Sequence, residues 1–215
     1  MTIQCKNISS FSHSLPDARV LEELWSRVVK CAEGAALGTE TTMKYEVISG
    51  SFNLLPNETL ARLMHSNLQR VGGVNYSSAE MEFAKKLQSS FTFKAPALSD
   101  AQVVQAFKIG GFFPASTDVG DITWVVPTVG LGTATWVPGV PPHSWQAVAT
   151  GSMGIGLKAM LNAAKTLSMT AIDLFNNPAL LDQAKKELNE KTGIDFQYKS
   201  LIGDRKPPLD YRKGL

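Results

Sequence analysis

Histidine and cysteine, the side chains that most often bind metal or act as nucleophiles, are scarce: three histidines and two cysteines in 215 residues. Cys5 and Cys31 show no metal-ligand spacing and no disulfide framework, so reduced thiols are expected. Long apolar runs are missing too. No stretch reaches the roughly 18 uninterrupted apolar residues that a membrane-spanning helix needs. The nearest, Ile122 to Val140, is cut by two prolines and three glycines. Nor does charge of one sign accumulate. The net charge is +2 with Lys and Arg scattered, which excludes the basic footprint of a nucleic-acid binder and any charged tail. The opening MTIQCKNISSFS has one lysine and no apolar core, unlike a secretory signal. These absences set the expectation of a cytoplasmic protein with no nucleic-acid and no membrane partner.

What is present describes an ordinary globular chain. Hydrophobic residues make up 44% and charged residues 19%, and 215 residues suffice for one large domain or two small ones. From Leu15 an apolar stripe of Val20, Leu21, Leu24, Val28, Cys31 and Ala35 predicts a helix, with Pro16 and Asp17 in its first turn. TTMKYEVIS, residues 41 to 49, alternates as a strand does. The Gly50 to Asn57 stretch breaks the pattern and reads as a domain boundary or hinge. Asn57 then caps a helix burying Leu60, Leu63, Met64, Leu68 and Val71, stopped by Gly72-Gly73. Ser77 and Glu80 have the spacing of a capping box.

A short helical piece is expected from Asp100 to Lys108. ITWVVPTVGLGTATWVP reads as two or three short strands buried on both faces. After His143 a long helix from Met153 to Phe175, apolar on most sides, is expected at the centre of the fold. An amphipathic helix from Pro178 to Lys191 closes the ordered part.

Two features can carry chemistry. His143 stands in VPPHSWQ, where Pro141 and Pro142 stiffen the backbone ahead of it. That fixes where the ring points, as a metal ligand or acid–base group requires. A histidine satisfied by a carbonyl at a sheet end fits the same pattern. The second feature is STDVGD, in which Asp118 and Asp121 stand three apart and are able to line a pocket. A turn held by Asx hydrogen bonds, or a helix cap, accounts for it equally. His13 and His65 lie in unpromising surroundings. GSMGIG lacks the Walker lysine, so its glycines read as close helix packing.

Taken together, ASTDVGDITWVVPTVGLGTATWVPGVPPHSWQ, SGSFNLLPN and GAALGTETTMKYEV resemble the C-terminal half of metal-dependent amidohydrolases. That superfamily holds the aminoacylases, dinuclear-zinc carboxypeptidases and N-acyl amino acid hydrolases. The likeness runs from about Leu15 to the C-terminus and is nearest to the aminobenzoyl-glutamate hydrolase branch. It implies an α/β fold, a central sheet flanked by helices forming the C-terminal half of a zinc-peptidase-like catalytic domain. Residues 1–50 would be part of a lid or dimerisation domain, with 1–13 irregular, and 51–215 the catalytic half. The resemblance places His143 on the last ligand of a divalent metal, zinc or manganese. It places Ser116, Thr117, Asp118 and Asp121 on the loop bordering the substrate pocket. The implied substrate is aminobenzoyl-glutamate or another N-acyl amino acid, and a homodimer is compatible with the lid.

The departures weigh as much. The family's early His-x-Asp or Cys-x-His pair, and the Glu-Glu that supplies its general base, have no counterpart here, so no catalytic residue is expected in this chain. A two-metal hydrolytic centre needs about five ligands and a base, and one imidazole does not supply them. The expectation is half an enzyme, a truncated product or split subunit whose incomplete metal site requires a missing N-terminal half or homologous subunit. The alternative is a non-catalytic remnant or interaction module. In either case apolar surface on residues 122–131 and 153–175 should lie uncovered.

Overall fold

The computed structural model describes residues 18–47, 49–109, 117–204, 206 and 209. By its contacts the chain divides into two units, each described by itself. One comprises Met1–Leu55, Gly110–Val126 and Asn189–Leu215, the other Pro56–Ile109 and Pro127–Leu188.

The expected central sheet does not form among the described residues. They are 55% helical and contain no strand. Residues 41–47 are irregular backbone, and the Ile122 to Val140 stretch holds the end of a short helix followed by turns and irregular backbone. Alternation and β-branching favour extended backbone, but a strand exists only when a second one satisfies its N–H and C=O groups. Among the described residues no such partner lies alongside.

The first unit holds helix α1, Ala18–Gly38, much as its stripe predicts. The stripe is half-buried at most, Cys31 is exposed, and Trp25 meets Tyr45 edge-on with ring centroids 5.6 Å apart. The same unit holds the five-residue α4, Val119–Thr123.

In the second unit, α2 spans Glu58–Val71 and α3 spans Ser78–Gln88. Both open as the sequence predicts: Asn57 Oδ1 accepts from Leu60 N at 3.1 Å, and Ser77 and Glu80 form the reciprocal capping box. A single 3₁₀ turn, Leu98–Gln102, replaces the longer helical piece expected there. The expected long helix forms as α6, Gly154–Asn176, and a short additional helix, α5 at Trp145–Gly151, precedes it. A Cβ on Gly156 would stand 2.2 Å from the Gly151 carbonyl oxygen, so the GSMGIG glycines do serve close packing.

Helix α7, Pro178–Thr192, reaches back to α2. Glu187 accepts from Glu58 N at 2.6 Å and from Thr59 N at 2.9 Å, placing a carboxylate on the free amides and positive end of α2. Lys158 on α6 donates to Glu80 at 2.5 Å, and that bond, with the Ser77 amide, holds the Glu80 carboxyl below its ordinary range.

Helix α6 is also corrected in its placement. Its inward side is narrow and partly polar: Ile155, Ala159, Thr166 and Thr170 are buried, and Asn67 of α2 donates to Asp173 at 2.7 Å. Its large apolar side chains face out, with Leu157, Met160, Leu161, Leu167, Ile172 and Phe175 exposed by 49–86%. The core of this unit meets only the first turn of α6, through Ile155, and is otherwise made by Ala84, Leu87, Val137, Val140 and Ala147.

Candidate functional site

His143 is mounted by that core. Val137 and Val140, exposed by only 1% and 8%, anchor the chain before it, and Ala147 anchors the chain after it. Burying such side chains contributes about 1.5–3 kcal/mol for one as large as valine. Between the anchors, Val140 N donates to Val137 O at 3.1 Å. Gly139 adopts a φ of +90° against Pro96, where a Cβ would stand 2.7 Å from the ring. Gln88 donates from Nε2 to the carbonyls of both Pro96 and Pro138 at 3.0 Å.

On the other side, Ser144 accepts from Ala147 N at 3.2 Å, capping α5, and donates back to Pro141 O at 2.6 Å. The two prolines and these bonds leave His143 at a φ of +57°. That is left-handed backbone, uncommon for a side chain with a Cβ though tolerated by histidine more than most. The imidazole is exposed at the crest of this turn. Such an outlier persists only where its surroundings over-determine it.

Ser116 lies outside the described residues, as does His13. Thr117, Asp118 and Asp121 lie together at the start of α4, in the first unit. Thr117 Oγ1 accepts from Val119 N at 3.2 Å, and Asp118 is exposed at the N-cap position without a capping bond from its side chain. Asp121 is engaged by the fold itself. Its Oδ1 accepts from Phe52 N at 3.2 Å and from the Tyr198 hydroxyl at 3.0 Å. Burial, and then this bond, raise the Tyr198 pKa.

Next to it, Thr123 Oγ1 accepts from Leu55 N at 2.9 Å, and Trp124 Nε1 donates to Asn53 O at 2.8 Å. Residues 52–55 are therefore pinned to α4 at three points. Gly120 allows the approach, since a Cβ there would fall 1.8 Å from the Phe52 oxygen. Phe52, Trp124, Phe196 and Tyr198 stack around the attachment with centroids 5.1 to 6.5 Å apart. Residues 69 and 77 positions away complete the carboxylate's hydrogen bonds, and sequence reading missed them because no local signal links such distant partners.

His65 stacks on Phe107, with centroids 5.4 Å apart, beside the Arg62 guanidinium, a surface packing role. Among the described residues no three His, Cys, Asp or Glu side chains gather as metal ligands. A catalytic zinc takes three protein ligands. His143 offers one nitrogen. No helix among the described residues is long and apolar enough to cross a membrane.

Two relatives match over most of this chain. One, a subunit of the p-aminobenzoyl-glutamate hydrolase of Escherichia coli (strain K12), is 32% identical over 201 residues, covering 82% of this chain and 42% of that protein. The Xaa-Arg dipeptidase of Mus musculus is 28% identical over 177 residues, covering 82% of this chain and 34% of its own length. The chain belongs to this amidohydrolase and peptidase family. It spans less than half the length of either relative. No family model matches the chain, and no solved structure does.

Proposed function

We propose that this chain is one part of a metal-dependent amidohydrolase cleaving the amide bond of aminobenzoyl-glutamate or a related N-acyl amino acid. In this reading residues 51–215 belong to the catalytic portion and 1–50 to a lid. His143 is the last ligand of a zinc or manganese ion. Ser116, Thr117 and Asp118 border the substrate, while Asp121 holds that loop through Phe52 and Tyr198. The other ligands and the general base come from polypeptide outside these 215 residues. The metal, once bound, would polarise the amide carbonyl and a water. The role of His143 is to present one ring nitrogen from a fixed backbone.

The observation that carries the reading is the His143 turn, in a chain 32% identical to part of an amidohydrolase. The core, a serine cap and two prolines hold an otherwise strained residue with its ring in solvent, which no packing need explains. The test is to co-produce the chain with the portion of the E. coli relative outside the match and assay aminobenzoyl-glutamate hydrolysis. Activity should appear only with both parts and fall at least about 100-fold in His143→Ala, as removal of a metal ligand or its support does. Equal activity in that variant would remove His143 from the site. A non-catalytic interaction module is the second reading, favoured by the bare apolar side of α6. It predicts a complex without turnover.

A further inference from the structure

We propose that the outward side of α6 is a docking surface for a protein segment with an apolar stripe and an acidic flank, supplied by the portion of the relatives that has no counterpart here. This rests on the functional reading above and names the surface through which the two parts meet.

Helix α6 is inside out for a solvated helix. Leu157, Met160, Leu161, Leu167, Ile172 and Phe175 recur at three- and four-residue steps or their sums, which puts them on one side of a helix. Ala164, Ser168 and Ala171 fill the same stripe, and no charge interrupts it. The opposite side carries Thr166 and Thr170, bonded to the carbonyls of Asn162 and Thr166 at 2.8 Å, with Asn162 donating to Gly73 O at 2.9 Å. A helix that ends at water keeps its polar residues outward. This one keeps them inward and leaves the leucines bare.

Six large apolar side chains, each about half exposed or more, present on the order of 500 Å² of apolar surface, near the upper range for the largest patch on a monomer. That approaches the ~800 Å² each partner gives to a standard interface. On α5, Trp145 and Val148 are bare as well.

Charge selects the occupant. Between α2 and α6 a groove of about 580 Å³ is floored by Val71, Leu161, Ala164 and Met169 and edged by Arg70 and Lys165. Arg70 donates to the Asn67 amide oxygen, and neither cation has a carboxylate partner among the described residues. Both cations edge the one groove, and an occupant with carboxylates along that edge would neutralise them. A second copy of this chain would bring a further Arg70 and Lys165 to the interface instead. Relatives in which 58% and 66% of the length lies outside the match (100 minus 42 and 34) supply ample polypeptide for such a segment.

The experiment co-produces the full 215-residue chain with the unmatched portion of the E. coli relative. It reads the complex by sedimentation and the turnover by aminobenzoyl-glutamate hydrolysis. Leu161→Glu and Phe175→Glu, at exposed positions that leave the chain's own melting unchanged, should each weaken association about 100-fold. Lys165→Glu should weaken it several-fold and reduce its salt dependence. His143→Ala should leave association intact.

A complex that forms equally well with the α6 variants overturns this proposal and leaves the functional reading standing. A complex lost in those variants but inactive as wild type supports the docking surface and overturns the functional reading. No complex overturns both. A tight homodimer of the chain alone, dissolved by Leu161→Glu, assigns the face to a second copy and overturns the proposal.

Discussion

Asp121, in the short helix α4, and His143, in a tight turn, are both polar residues beside apolar runs, yet the fold treats them in opposite ways. The Asp121 carboxylate is consumed: it receives the Phe52 amide and the Tyr198 hydroxyl and ties three chain segments together. The His143 turn is built just as firmly, but all its bonds come from neighbours, from Gln88, Ser144 and the buried valines, while the ring reaches solvent. One side chain holds structure and the other is held by structure. A residue that is costly to mount and contributes nothing to its own mounting is the better candidate for function.

Three substitutions sharpen this contrast, the largest effect first. Gly120→Ala drives a methyl into the Phe52 carbonyl and should cost about 3 kcal/mol in urea unfolding. A loss below about 1 kcal/mol would mean that α4 slides away from residues 52–55 without consequence. Asp121→Ala should cost about 2 kcal/mol, because the part-buried Phe52 amide and the exposed Tyr198 hydroxyl lose their shared acceptor. Combined with Tyr198→Phe it should fall short of additivity, since the two share one bond. In Asp121→Ala the tyrosine should titrate lower than in wild type yet stay above an ordinary phenol, burial being the larger cause of its shift. Smallest is His143→Gly, where relief of the left-handed backbone, offset by the entropy of glycine, should leave the isolated chain unchanged or up to about 1 kcal/mol more stable. Were His143→Gly to destabilise by as much as Asp121→Ala, the distinction between the two residues would be lost.

How far the sequence could be read follows the range of the forces involved. Local signals held. The Asn57 cap, the Ser77–Glu80 box and the extent of α2, α3 and α7 depend on residues within a turn of one another. Signals that need a distant partner failed. TTMKYEVIS and the Ile122 to Val140 stretch have the composition of strands, but a ladder needs a second strand to pair with, and the described residues contain none.

The apolar content of α6 and an uncovered apolar surface on it were legible, while the polar character of its inward side was not. A helix with leucine on one side and threonine and asparagine on the other is normally buried leucine-first. Here Asn67, Asn162 and Asp173 tie the polar side to α2 and the turn that follows it. At the candidate site, the stiffness around His143 could be read from Pro141 and Pro142. The partners of Asp121 lie far away in the chain, and its open alternatives as pocket group or turn anchor needed coordinates to weigh.

The most direct test is metal content by atomic emission in three purified samples: the chain alone, its complex with the unmatched portion of the E. coli relative, and that complex carrying His143→Ala. The account predicts metal retained through dialysis only in the unmutated complex. Stoichiometric, tightly held zinc in the lone chain, or undiminished zinc in the mutated complex, would contradict it.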